Sequence, residues 1–192
     1  MKVRAQEVTK ADISTKRLMA WGFDWILGGV SSSIPAVIAY SQVTQKSTLF
    51  SSLYDFKAAG SETVFVMFIG LLCLLIGIIY YMIVPWKIYS GQTLGKKIFH
   101  IKIEKINGGS MTFKDYFLRQ IIFLFLIEGS ATILSRYVAQ LLTLRSNFYF
   151  DSYLAIFWFA LTVLSGMLAI GTSSKLSIHD RALKTTVISV VQ

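Results

Sequence analysis

From Val64 to Val84 the chain carries no charged residue, and this run limits the architectures open to it. A helix crossing a hydrocarbon core of about 30 Å needs about 20 mostly apolar residues, because each adds about 1.5 Å and every backbone polar group must be satisfied internally. The run meets that requirement. It ends in Tyr80 and Tyr81 and is followed by Pro85, Trp86 and Lys87, a helix stop with an aromatic and cationic interfacial anchor. The remainder has the same character, since 54% of the 192 residues are apolar and 15% charged, against roughly a quarter charged in soluble domains. A multi-pass membrane protein is the first expectation. A disulfide scaffold is excluded, because the single Cys73 lies within an apolar run and has no partner. That cysteine is expected to face lipid or to pack.

Three further segments are long and apolar. Ser152 to Gly171 lacks charge and carries Phe157, Trp158 and Phe159 in its middle. Leu18 to Tyr40 contains Asp24, the run Ser31 to Ser33, and Pro35, which removes a backbone donor and predicts a kink. Gln120 to Leu144 holds Glu128 and Arg136, which leaves it either one spanning helix or two shorter pieces. The predicted class is an all-α membrane protein with four transmembrane helices, over about 18–40, 64–84, 120–144 and 152–171, and a short cytoplasmic β-hairpin-like loop. A cleaved signal peptide is not expected. Its apolar core would run about 7 to 15 residues and would not hold an aspartate such as Asp24.

Lys and Arg are retained on the cytoplasmic side. Residues 1–17 hold five, 41–61 hold Lys46 and Lys57, 86–119 hold seven, 136–151 hold Arg136 and Arg145, and 172–192 hold three. With both termini in the cytoplasm, four spans place fifteen basic residues inside and four outside. The expected plan is a cytoplasmic segment 1–16, a membrane domain 17–190 with a cytoplasmic loop 86–119, and a cytoplasmic tail 172–192. The net charge of +9 then reads as a topology signal with attraction to anionic headgroups. No basic stripe lies away from a membrane-flanking position, so nucleic acid is not an expected partner.

In the loop 86–119, Ile101, Ile103 and Lys105 alternate with Lys102 and Glu104, a strand period. Asn107, Gly108 and Gly109 tolerate positive φ, which predicts a hairpin turning near Asn107. Lys114, Asp115 and Arg119 follow at near-helical spacing as an amphipathic lead-in to the third span. Gly91 to Lys97 has the glycine and lysine of a phosphate loop without its spacing, since Gln92, Thr93 and Leu94 separate Gly91 from Gly95 and Lys97 follows Lys96. The expectation there is a tight turn with lysines at headgroup level.

A carboxylate near the bilayer centre costs about 2.5 to 3.5 kcal/mol on insertion scales, so it faces a partner or a water-filled cavity. Asp24 lies on nearly the same helix face as Arg17, about 10 Å along the axis, too far for a direct pair. Arg17 can instead bind headgroup phosphate or reach Asp180. Asp24 reads either as an interhelical hydrogen bond that locks the bundle or as a cation or proton site. Glu128 precedes Gly129, Ser130 and Ala131, which allow close helix approach. It either shares a proton or monovalent cation with Asp24 or bridges to Arg136 along one face. His100 belongs to the predicted strand, and His179 shows no metal-ligand spacing to it. No nucleophile motif is present, so the chain is not expected to be an enzyme, and no cofactor or metal is predicted.

Taken together, RLMAWGFDWIL (Arg17 to Leu27), GQTLGKKIFHIKI (Gly91 to Ile103) and SIHDRALKTTVI (Ser177 to Ile188) resemble segments of the RDD family of bacterial membrane proteins. The family is named for an arginine opening its first helix, an aspartate within that helix and a second aspartate near the C-terminal end, which match Arg17, Asp24 and Asp180. The resemblance covers roughly residues 14 to 190, including Gly91, Gln92, Gly95 and Lys96 of the loop motif, and Arg119 fits its usual entry to the third helix. Glu128 is not part of the naming pattern. Some members are linked to exchange of monovalent cations for protons, and others act as small accessory or regulatory membrane proteins.

Two functions follow as expectations. In the first, the protein exchanges Na+ or K+ for H+ as an oligomer, with Asp24 and Glu128 as the candidate ion or proton site and with Arg17, Asp180 and Arg181 as a cytoplasmic latch or gate. In the second, it transports nothing and binds another membrane protein in an accessory, regulatory or immunity-type role. The expected surroundings are a cell membrane with anionic headgroups and either a second copy or a different membrane protein.

Overall fold

The computed structural model describes residues 2–45, 49–146 and 148–190, and for residues 2–12 and 131 the backbone alone. Lys46 and the basic side chains before residue 13, which entered the orientation count, lie outside the described residues. Helix α1 runs over Lys2–Thr44 and continues on both sides of Pro35. A short helix α2, Leu53–Ala58, is closed by a capping box between Ser52 and Asp55. Helix α3, Thr63–Ile78, passes without a break into π-helical turns over Ile79–Ile88. Then come α4 (Leu94–Ile98), strand β1 (Ile101–Lys105) and α5 (Phe113–Tyr116), which widens into π-helical turns over Phe117–Ile127. A 3-10 turn, Gly129–Ala131, separates these from α6 (Leu134–Ser146). Helices α7 (Phe150–Gly171) and α8 (Ile178–Leu183) and strand β2 (Thr185–Ser189) complete the fold.

Among the described residues three helices are long and apolar enough to cross a membrane, Ile13–Thr44, Thr63–Ile88 and Phe150–Gly171. Of the two alternatives for 120–144, one spanning helix is corrected: the segment is two pieces. The cause lies at Glu128, whose N–H reaches back to Phe123 O at 2.6 Å while its own backbone leaves the helix at φ −98°, ψ 47°. Beyond it, Gly129–Ala131 makes one tight turn before α6 begins at Leu134. The pieces still join the two ends of the bundle. Arg119, near the start, bonds Asp180, whereas Gln140, near the finish, accepts from Leu53 N–H at 3.0 Å and Thr143 accepts from Phe150 N–H at 3.1 Å.

The second correction concerns β1. It pairs antiparallel with the C-terminal strand, Ile103 opposite Val187, and makes no hairpin at Asn107. The residues that would form the return strand are drawn into a helix start, where Thr112 and Asp115 form a capping box. Strand β2 repeats the alternation of β1, so both bury the same kind of face. Ile101, Ile103 and Val187 pack with Ala20 of α1, which fixes the sheet against the first helix. His100 lies in the turn before β1 with φ +53° and not in the strand.

The larger core lies between α1, α3 and α6. Cys73 is fully buried there with Ala36, Val66, Ile69, Tyr137 and Leu141, which makes it a packing residue. At the end away from the sheet, the rings of Tyr40 and Phe65 meet Phe56 of α2 edge to face, and Phe50 packs tilted against Tyr40 and Phe56.

Candidate functional site

At the end of the bundle that carries the sheet, the charged residues form two buried clusters. The first is centred on Asp24, which is 3% exposed. Its Oδ1 accepts from the Tyr80 hydroxyl at 2.7 Å and from Gly95 N–H at 2.9 Å. Its Oδ2 accepts from the Thr93 hydroxyl and lies 3.6 Å from Lys96 Nζ. Tyr81 donates to the Asp24 carbonyl at 2.7 Å. The wider π turns of Ile79–Ile88 bring two consecutive tyrosines onto one residue of α1.

The loop motif supplies the remaining donors through its own geometry. Gly91 sits at φ +88°, and a Cβ there would come within 2.6 Å of Ile103 O, so only glycine turns the chain at that point. Gln92 ties the turn to β1 by donating to Ile101 O at 2.9 Å. Thr93 caps α4 and presents its hydroxyl to Asp24. Gly95 then meets α1 so closely that a Cβ would lie 2.5 Å from Ala20 O and 2.9 Å from Asp24 Cγ. Lys96 does not stand free at headgroup level: it is half-buried against Asp24, and desolvation pulls its ammonium below the ordinary lysine value while Asp24 opposes that shift. Lys97 lies over the Tyr89 ring at 3.7 Å.

The second cluster is centred on Asp180, which is fully buried. Arg17 Nη2 donates to Oδ2 at 2.5 Å and Arg119 Nη1 to Oδ1 at 2.6 Å. Each arginine adds a further bond from a terminal nitrogen, Arg17 to Lys175 O at 2.9 Å and Arg119 to the Thr185 hydroxyl. Ser177 closes the α8 capping box on the same carboxylate. Burial alone would raise the Asp180 carboxyl, but Arg119, then His179 and Arg17, with the Ser177 hydrogen bond, hold it well below the usual carboxylate range.

Glu128 joins this second cluster. Its Oε1 lies 2.9 Å from His179 Nδ1, and His179 Nε2 lies 2.8 Å from Ser177 Oγ. The break in the third segment turns Glu128 toward α8, and among the described residues it makes no bridge to Arg136; it lines the same cavity as Asp24 without a hydrogen bond to it. Ser177 has one proton for two neighbours, His179 and Asp180, so Glu128, His179, Ser177 and Asp180 form one hydrogen-bonded chain. Burial, with Arg119 adding to it, lowers the His179 pKa against the pull of Glu128 and Asp180.

Arg17 and Asp180 thus meet, as the latch requires. Arg181 takes no part in it, and its guanidinium is spent on Leu176 O, Thr172 and Ser174 at the exposed edge of the tail. The sequence points to neither Tyr80 nor Thr93 as a partner of Asp24, nor to His179 as the partner of Glu128, and Arg119, expected in the lead-in to the third span, is 2% exposed. The available signal for Thr93 was its position ahead of a short helix, a cap with a hydroxyl to spare.

A cavity of about 430 Å3 touches both clusters, lined at its polar end by Arg17, Asp24, Lys96, Arg119, Glu128 and His179. Among the described residues no group of three His, Cys, Asp or Glu side chains is arranged to hold a metal ion. A family model described as the RDD family matches residues 14–184, a span that contains both Asp24 with its donors and the Arg17–Asp180 pair. No curated protein and no solved structure matches the chain.

Proposed function

This chain belongs to the RDD family, and on that premise we propose that it is a non-transporting four-pass module of the cell membrane that binds another membrane protein. The observation that carries the reading is how fully Asp24 is engaged by its neighbours. Of the roughly four lone-pair positions a carboxylate offers, three accept from Tyr80, Thr93 and Gly95 N–H, and Lys96, whose ammonium donates to the Thr93 hydroxyl at 3.2 Å, stands 3.6 Å away as the counter-charge. A carrier carboxylate must release its ligand and bind a proton in turn. Asp24 instead fastens α1 to α3 and to the loop before β1, and Asp180 fastens α1 and the third segment to the tail.

The third segment serves as the fourth pass, broken at Glu128, because it starts beside Asp180 and finishes beside α2 and the start of α7. The sheet end, which carries most of the basic residues, faces the cytoplasm, so both termini lie there. Helix α7 supports a partner face away from the cavity, with Tyr153 and Ile156 each about two-thirds exposed or more. The reading involves no enzymatic reaction, cofactor or nucleic acid.

A second reading, cation–proton exchange through Glu128, draws on its pairing with His179 beside the cavity. Asp24 has no carrier role in it. Dissipation of a pH gradient by the purified protein in proteoliposomes, with Na+, K+ and Li+ added separately, decides between the two. Folded, inserted protein is expected to be silent. A cation-dependent signal that survives Asp24→Asn and disappears in Glu128→Gln transfers the assignment to the second reading, and one lost in a folded Asp24→Asn protein overturns the structural role given to Asp24.

A further inference from the structure

Two side-chain polar atoms among the described residues are buried with no hydrogen-bond partner, Arg119 Nε and Thr162 Oγ1. Both residues line the same cavity. Leaving such groups unmade costs roughly 1–3 kcal/mol each, and two orphans on one wall point to a missing acceptor. The charged clusters do not supply it. Both Arg119 hydrogen bonds leave from Nη1, to Asp180 and Thr185, which leaves Nε buried without an acceptor. The Nε edge suits oxygen atoms of an anion.

The rest of the cavity is apolar and opens sideways. Its walls are Leu18, Trp21 and Trp25 of α1 and Phe159, Val163 and Ile170 of α7, all at least 42% exposed. These residues belong to two of the spanning helices, so their exposed faces meet acyl chains. From Phe159 to Ile170 the groove follows α7 for about 16 Å, close to half of a hydrocarbon core of about 30 Å. A groove one leaflet deep, with a cationic edge at its headgroup end, has the shape and polarity of a bound lipid.

We propose that the groove between α1 and α7 is a binding site for one anionic phospholipid of the cytoplasmic leaflet. One acyl chain lies between Trp25 and Phe159, and a phosphate oxygen accepts from the Arg119 Nε edge beside Lys96. Ser165 receives Ile178 N–H where α8 is seated, and Thr162 lies one turn deeper. At that depth its hydroxyl donates to an ester carbonyl, which in a glycerophospholipid sits below the phosphate. The site shares its cavity with Asp24 and Glu128, but lipid occupancy is read without reference to whether the protein moves ions.

The test spares the charged clusters. Gly166 lines the cavity, and a Cβ there meets nothing within 4 Å, so Gly166→Leu starts into open space and narrows the groove. Thr162→Val removes the proposed carbonyl donor alone. Native mass spectrometry of the detergent-purified protein, titrated with phosphatidylglycerol and phosphatidylcholine of identical chains and with oleate, reads occupancy. The wild type is expected to bind one phosphatidylglycerol, about tenfold tighter than phosphatidylcholine. Gly166→Leu should abolish that preference with its lipid-free melting temperature unchanged, and Thr162→Val should weaken binding several-fold. Equal binding of the two phospholipids, or wild-type binding by both variants, overturns the site in favour of unspecific annular lipid. Tighter binding of oleate overturns the phospholipid assignment. If Gly166→Leu fails to fold, Thr162→Val decides alone.

Discussion

Gly95 and Asp24 are in direct contact: the glycine N–H donates to the carboxylate at 2.9 Å, and the volume a side chain would need at residue 95 is already occupied by Ala20 O and Asp24 Cγ. The loop therefore docks on α1 by backbone as well as by side chain. Gly95→Ala must push α4 away from α1, stretching the Gly95, Thr93 and Lys96 contacts together. We expect a loss of about 1–3 kcal/mol, the usual range for overpacking, read as a lower melting temperature in detergent. Unchanged melting would mean that the loop does not hold Asp24.

The buried charge pair on the other side makes a larger prediction. Asp180 has two arginines on its two oxygens and no exposure. Asp180→Asn leaves Arg17 and Arg119 without their counter-charge, and removing one partner of a buried pair costs about 3–5 kcal/mol. Because the folded carboxyl lies below its ordinary value, its contribution is complete above the unfolded pKa of about 3.9. It is lost only as pH falls below that toward the folded value. The gap in melting temperature between wild type and variant should therefore not close between neutral pH and about pH 4. A gap already closing near pH 6 would show that another group controls it.

How far the sequence carried this reading depends on the range of each signal. Val64 to Val84 and Ser152 to Gly171 were legible as spans, because length and lack of charge are local properties. Arg17 meeting Asp180 was legible from the charge left over at the ends of two segments. The partner of β1 was not, since alternation in Ile101–Lys105 fixes a strand and says nothing about which other strand it joins. Local turn residues at Asn107 pointed to a hairpin, and the helix cap at Thr112 and Asp115 prevailed. Glu128 was flagged for its depth, yet its partner His179 lies 51 residues away, and only the break in the helix brings them together.

His179 gives the clearest pH dependence. Its pKa is lowered on folding, by burial first and by Arg119, against Glu128 and Asp180. The unfolded chain therefore binds the proton more readily, and this stability is complete above the unfolded pKa of about 6.5 and declines as pH falls below it. Melting temperature should drop between about pH 7 and pH 5.5, and His179→Gln should flatten that part of the profile while lowering the plateau. A profile unchanged by the substitution would assign the slope elsewhere.

The long-range sheet can be trapped chemically. Lys102 stands opposite Ile188 in the register that joins β1 to β2, and both are half-buried at the sheet surface. Directly opposed strand residues have Cβ atoms about 4.5–5.5 Å apart, near the span a disulfide needs after small adjustment. In a Cys73→Ser background, Lys102→Cys with Ile188→Cys should cross-link under mild oxidation and shift on a non-reducing gel. A local hairpin turning at Asn107 would instead place Lys102 near Phe113, so Lys102→Cys with Phe113→Cys serves as the opposing pair and should stay open. Cross-linking of the second pair in preference to the first would restore the hairpin. It would also detach the tail from α1, and with it the placement of Asp180 between Arg17 and Arg119.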